Sequence, residues 1–487
     1  MTSAVDRQTG ARSLRRMLVP LALAQFICSF AGSNMNVMIN DISHDLHTTV
    51  QGVQVCITLF LLVMAALMIP CGKLTDRWGR KRCFTIGLSV YGIGALLSAV
   101  SPGLGVLILG NSIFEGVGTA LLIPPVYILT TMLFGDMKSR ARAFGVISGM
   151  GGIGAATGPL VGGLITTAIS WRAAFVFQAL IIVIIVLLAR GVTDPLPADP
   201  TRPFDTVGAI LSAAGLVILV GGIMAADDNL ALMAVLLVLG ALLLAGFFAW
   251  IRGREHAGKE ALLSTGLFRN RTSNLALVTQ NVQWALLMGA SFVVSAYLQV
   301  VRKYDAIQTG VIFTAATVGI LLSSLAAGRL ARRFRQRTLI LTGFVTTIAG
   351  IIVLLAMVKG HPGAWYFAPG LFLIGVGLGV MLTPSVNVVQ SAFPEHLQGE
   401  ISGLSRSVSN LGSSFGTAIA GTILVAGLAD PSRSYGVAMI VLAFLGLIGL
   451  GATIVLPAAE PPPGSNAPSP GAAHPSERTA VGRHGSR

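Results

Sequence analysis

Long apolar stretches separated by short polar, often basic, connections recur along the whole 487-residue chain. A helix needs about 20 apolar residues to cross a hydrocarbon layer roughly 30 Å thick. Inside that layer only a helix or a closed barrel satisfies its own backbone. The apolar runs are too long for barrel strands, so the pattern predicts helices near 17–39, 51–71, 84–101, 105–133, 142–167, 172–189 and 207–225, and then near 230–250, 275–299, 309–327, 338–358, 364–390, 401–427 and 435–457. The stretch from Leu230 to Trp250 carries no charge, which keeps the central pair among the spans and makes fourteen. The predicted fold class is therefore all-α integral membrane. The first run follows Arg7, Arg12, Arg15 and Arg16 but is long and lacks a small-residue cleavage site, so it is read as the first helix and not as a signal peptide.

Composition agrees: 54% of residues are hydrophobic and 11% charged, against about 25% charged in soluble domains. That excludes an ordinary soluble enzyme. The formal charge of +14 is explained by placement. Of the 33 Lys and Arg, 27 fall in the termini and in every second connection, five in the alternate connections, and Arg406 within an apolar run. By the positive-inside rule both termini are expected in the cytoplasm. The charge then reports topology, and no nucleic-acid partner is expected.

Cys28, Cys56, Cys71 and Cys83 lie mostly in apolar segments without ligand spacing and read as packing residues. Gly72-Lys73 is followed by Leu74, so no phosphate loop is visible. Gly412-Ser-Ser-Phe-Gly416 mimics a nucleophile elbow, but no strand precedes it. No catalytic residue, metal site or cofactor is expected, and the protein is not read as an enzyme.

The chain repeats itself. Gly145, Gly154 and Gly158 recur as Gly403, Gly412 and Gly416, and Gly72-Lys-Leu-Thr-Asp-Arg is echoed by Gly328-Arg-Leu-Ala-Arg-Arg. Two six-helix halves joined by an inserted pair fit that spacing, and parallel repeats of this kind build transporters. The expected organisation is a cytoplasmic segment 1–16, an N-terminal half 17–190, a linker with the inserted helices 191–252, a C-terminal half 253–457 and a Pro-, Ser-, Gly- and Ala-rich disordered tail 458–487.

Polar residues in apolar runs single out candidate sites. Of the 19 acids Glu115 alone lies deep within a span, where a carboxylate costs about 2.5–3.5 kcal/mol and must face a cavity, find a partner or bind a proton. A structural hydrogen bond is the bland alternative. Gln25, Ser29, Ser33, Asn36 and Asn40 form one stripe of the first helix. Gln280, Asn281, Gln283 and Trp284 cluster in the ninth, and Asn387 and Gln390 close the twelfth. Singly these suit helix–helix hydrogen bonds; together Gln25, Asn36, Gln280, Gln283, Trp284, Asn387 and Gln390 suggest a central cavity for amphipathic molecules. In Gly149–Gly163, Gly154, Gly158, Pro159, Gly162 and Gly163 put small residues on one face beside a proline kink, a pliable seam.

The connection Gly72-Lys-Leu-Thr-Asp76-Arg77-Trp-Gly79-Arg80-Lys81-Arg82 resembles the signature of the major facilitator superfamily. Its glycines permit a tight turn and close helix approach, and Asp76 can accept charge-assisted hydrogen bonds. The resemblance implies that Gly72, Asp76, Arg77, Gly79 and Arg80 gate the cytoplasmic side by latching the two halves. The glycine seam is similar to that of the antiporter branch. With Trp171-Arg172, Phe204-Asp205, Leu267-Phe268-Arg269-Asn270 and Gly399–Gly421, most of the chain resembles the fourteen-helix drug:proton antiporters. The resemblance implies alternating access and export of hydrophobic or cationic drugs driven by protons without ATP, from a monomer in a bacterial cytoplasmic membrane. Two family positions differ: Ala31 stands where the first helix usually carries an acid, and Ser112 where the fourth carries an Arg. Glu115 is then the candidate for proton or cation coupling. The alternatives are a passive facilitator or a dedicated exporter of an endogenous metabolite or lipid, and a non-transporting receptor on the same fold.

Overall fold

The structure, a computed structural model, describes residues 2–134, 137–195, 198–225, 229–358, 363–393, 397–426 and 431–457. The tail predicted to be disordered lies outside them. Each of the fourteen predicted segments is a helix, and no strand occurs among the described residues. In chain order they are α1 (Thr2–Asn34, continued through a tighter turn to Asp45), α2 (Val50–Trp78), α3 (Arg80–Ala99), α4 (Leu104–Leu133), α5 (Met137–Ala168), α6 (Trp171–Ala189), α7 (Thr206–Met224), α8 (Leu230–His256), α9 (Arg271–Val301), α10 (Ala306–Arg333), α11 (Gln336–Val358), α12 (Trp365–Ser391), α13 (Gln398–Ala426) and α14 (Pro431–Val455).

Twelve of these are long and apolar enough to cross a membrane, and α5 makes a thirteenth if its bent parts form one span. The bend, 41° between Ala143–Ala155 and Thr157–Ala168, lies where Pro159 cannot donate to the carbonyl four residues back. The helix α13 falls short on composition because Glu400, Arg406 and a run of serines dilute its apolar residues, yet at 29 residues it is long enough. Its serines are satisfied inside the bundle: Ser407 donates to Ala65 O of α2 at 2.5 Å, Ser414 to Thr58 O at 3.2 Å and Ser405 to Gln280 Oε1 at 2.9 Å.

Glycines set the close helix pairs, and the pairs repeat. A Cβ at Gly154 would run into the Phe26 carbonyl, and one at Gly158 into Ser33, so the seam packs α5 on α1. In the second half Gly412 and Gly416 meet the Asn281 and Ala285 backbone in the same way, which packs α13 on α9. Likewise Gly87 and Gly94 face Gly118 and Gly110 across α3 and α4, and Gly343 and Gly350 face Gly377 and Gly370 across α11 and α12. Helices in lipid gain little from apolar burial, so backbone approach of this kind supplies much of their association.

The inserted pair, α7 and α8, leaves most of its surface outside the bundle. It is anchored by Asp205, which accepts from Gly208 N (3.0 Å), Trp250 Nε1 (2.9 Å) and Leu262 N (3.2 Å) and lies 3.8 Å from Arg254. The Trp171-Arg172 pair does similar work before α6: both side chains donate to the Asp45 carboxylate, and Arg172 also to Ser101 O at 2.9 Å. Asn270 caps α9 through Ser273 N at 3.1 Å and reaches Ala392 O at 3.3 Å.

Candidate functional site

Glu115 is fully buried at the end of a wider, π-type helical stretch, Ile108–Glu115, within α4. Such stretches recur at functional positions. Its carboxyl oxygens accept from Ser98 Oγ and Asn111 Nδ2, both at 3.4 Å, and the Tyr91 hydroxyl, which donates to Gln178 Oε1 at 2.5 Å, lies beside it. Every one of these partners is neutral and belongs to the first half. Glu115 therefore sits inside the N-terminal bundle and not on the face turned toward the second half. Ser112, at the position of the family arginine, ties α4 to α2 by donating to Cys56 O at 2.8 Å.

The predicted cavity residues do not converge on one place. Gln25 donates to Ser29 Oγ at 3.1 Å and accepts from the Tyr127 hydroxyl at 3.3 Å. Asn36 works at the end of the bundle away from the basic connections, where its carbonyl takes Ser295 Oγ (2.5 Å) and Gln299 Nε2 (2.8 Å) from the second half. Gln280 and Gln283 accept from Ser405 and Ser385, at 2.9 and 2.8 Å, and so join α9 to α13 and α12 within the second half. Trp284 is half-buried, Gln390 donates to Ser402 Oγ at 3.4 Å, and Asn387 is exposed.

One residue that the sequence analysis left without a role is linked to Gln25. Arg406 of α13 donates to the Tyr127 hydroxyl and stands 4.8 Å over its ring, which stacks on Phe144 of α5. A chain of polar contacts thus runs from Arg406 in one half through Tyr127 to Gln25 and Ser29 in the other. The signal for it was present: Arg406 is the one basic residue within an apolar run.

The two halves meet in two different ways. At the end away from the basic connections α5 and α10 pack backbone to backbone, Gly163 against Ala306 and Gly310 against Pro159, and Thr167 Oγ1 accepts from Ile307 N at 3.1 Å. At the same end Gln54 of α2 donates to Thr417 O, Ala418 O and Thr422 Oγ1 of α13 at 3.2–3.4 Å. At the basic end the bridge is an ion pair, Lys73 to Glu400 at 2.8 Å, and Glu400 also accepts from Ser264 N at 3.3 Å.

The expected latch is built differently from its reading in sequence. Asp76 takes both charged partners from its own side, Arg80 at 2.5 Å and Arg202 at 2.8 Å. Arg202 belongs to the 191–205 connection, which lies on this loop: Asp194 accepts from Arg80 N (2.6 Å) and Lys81 N (3.2 Å), and Asp199 N donates to Asp76 O (3.3 Å). Hydrogen bonds from Thr201 hold the Asp199 carboxyl below the usual carboxylate range. The residue that reaches the other half is Lys73, and Arg77 lies half-buried nearby. Gly79 turns the chain at φ +90, a conformation open to glycine, whereas Gly72 lies inside α2 with room for a side chain, the nearest atom to its Cβ being 3.9 Å away.

Among the described residues, two repeated six-helix halves joined by an inserted pair, with a basic loop after the second helix, agree with a sequence match that settles the family. The profile described as Major Facilitator Superfamily matches residues 21–417 and again 276–484. The chain belongs to the Major Facilitator Superfamily. It is a multi-pass membrane transporter and not an enzyme. Among its relatives, the puromycin resistance protein pur8 of Streptomyces alboniger is 29% identical over 411 residues, 83% of this chain and 81% of that protein. The multidrug efflux pump LfrA of Mycolicibacterium smegmatis is 29% identical over 377 residues, 76% and 73% respectively. A crystal structure of the peptide transporter POT in complex with sulfate shares the fold at a TM-score of 0.68 and 17% identity, over 91% of this chain and 95% of that one.

Proposed function

We propose that this major facilitator protein exports hydrophobic, drug-like compounds from the cytoplasm by proton antiport, alternating access between its two halves. Relatives with efflux and resistance names support the export direction. The observation that carries the proton is Glu115: a fully buried carboxyl surrounded by neutral Ser98, Asn111 and Tyr91, with no cation beside it, is suited to carry a proton, since an unpaired carboxylate is costly to bury there. Its placement away from the second half favours proton binding over direct contact with a cationic drug. The basic end would face the cytoplasm, with both termini on that side. The seal formed by Gly163, Gly310, Gln54 and Asn36 would then close the outer side, and Lys73–Glu400 would govern the inner one. A membrane potential supplies about 2.3 kcal/mol per charge per 100 mV.

The Ala31 and Ser112 positions favour a second reading, export without proton coupling, by a passive facilitator or a dedicated metabolite exporter. Both are tested by loading an efflux-deficient bacterial host with neutral, cationic and acidic fluorescent dyes, with and without a protonophore. Efflux that the protonophore abolishes is the expected result. Protonophore-insensitive efflux favours the second reading, and no efflux of any dye overturns export of such compounds.

A further inference from the structure

Arg406 carries a charge that no carboxylate among the described residues neutralises. Its guanidinium donates to the neutral Tyr127 hydroxyl, and Glu115, the deep acid of the first half, is held by Ser98 and Asn111. The guanidinium does not escape to the membrane surface. Arg406 lies eight residues inside α13, about 12 Å along the axis, and Tyr127, which it touches, lies six residues, about 9 Å, inside the end of α4. Gln25, at the far end of the chain, is itself almost wholly buried. Arg406 is only partly buried, a charge within a span is costly unless it faces a partner or a cavity, and a phenol ring under it returns only part of that cost.

We propose that Arg406 is the recognition site for an acidic group on the transported compound, so that the preferred substrates are amphipathic aromatic acids. The inference rests on the exporter reading and reverses the sign of charge that the family resemblance implies. A guanidinium has five donors in a planar fork, of which Tyr127 uses one, and the remainder match a carboxylate bidentately. Phe144, half-buried and stacked on Tyr127 at 5.8 Å and 21°, offers an apolar ring beside the guanidinium for the body of such a molecule. Arg406 and Tyr127 come from opposite halves, so a substrate bound there touches both and is positioned to respond to their relative movement. Gln25 Nε2, donating now to Ser29, is near enough to Tyr127 to serve as a second donor.

The test uses the purified full chain in lipid nanodiscs with three probes of one shape: pyrenebutyrate, its methyl ester and pyrenebutyltrimethylammonium. Partition into lipid favours the ester, so a preference for the acid runs against non-specific uptake. Wild type is expected to bind pyrenebutyrate at least about 10-fold tighter than either other probe. Arg406→Gln should erase that preference and Arg406→Lys should keep part of it. Equal or tighter binding of the ester by wild type, failure of the acid to bind, or a preference surviving in Arg406→Gln would each overturn the proposal. If Arg406→Gln does not yield a monodisperse protein, the wild-type ratio and Arg406→Lys decide. Binding of the cation alone overturns acid recognition and leaves the exporter reading standing, because that reading fails only if no dye is pumped.

Discussion

Gly94 tests the glycine-mediated packing that holds the Glu115 neighbourhood together. A Cβ added there would stand 2.6 Å from Gly110 O and 2.8 Å from Glu115 N, both backbone atoms of α4. Neither can rotate aside. The two helices must separate by about 0.4 Å to reach the shortest separation a Cβ tolerates, and by about 0.8 Å for ordinary contact. Overpacking of that kind costs about 1–3 kcal/mol, while exchanging glycine for alanine within a helix returns about 0.5–1 kcal/mol. Gly246→Ala in α8 is the control, because nothing lies within 4 Å of its Cβ and only the helix term remains. Reversible unfolding in mixed micelles should therefore place Gly94→Ala about 1–3 kcal/mol below Gly246→Ala, roughly 5- to 150-fold in the folded ratio. Equal stability of the two variants would refute the α3–α4 contact as described.

Three further outcomes follow from the geometry. Glu115→Gln keeps the shape and removes the exchangeable proton, so it should abolish dye efflux at unchanged membrane abundance; undiminished efflux driven by a pH gradient would exclude Glu115 from coupling. A double-mutant cycle on Lys73 and Glu400, each side chain 25% exposed, should give a coupling of about 0.5–1 kcal/mol that shrinks with salt. Charge exchange, Lys73→Glu with Glu400→Lys, should recover most of what either single change loses, and zero coupling would refute the ion pair as a bridge between the halves. Asp205→Ala leaves Trp250 Nε1 and Leu262 N without their acceptor at a cost of about 1–3 kcal/mol, so hydrogen exchange of the 257–264 segment should rise, and unchanged protection would show that α7 and α8 are held by other contacts.

The sequence by itself determined the class, the number and approximate ends of the helices, and the repeat, because each depends on local quantities: the apolar length that spans a bilayer and the spacing of glycines along one helix. It also marked Glu115 as exceptional, since charge within an apolar run is costly wherever the helix packs. It did not determine which helix each glycine admits, nor that Gly72 has room to spare while Gly79 requires a positive φ. Tertiary structure alone decided that Asp76 pairs with Arg202 of the central connection, that Lys73 and not Asp76 reaches the second half, and that Gln280 and Gln283 are spent within it. The same holds for Arg406, 279 residues from Tyr127 in the chain, and for the serines of α13, whose acceptors lie on α2 and α9. Hydrophobicity acts residue by residue and can be read along a line. Hydrogen bonds and ion pairs need two groups at one place, and only the packing of the helices supplies the second.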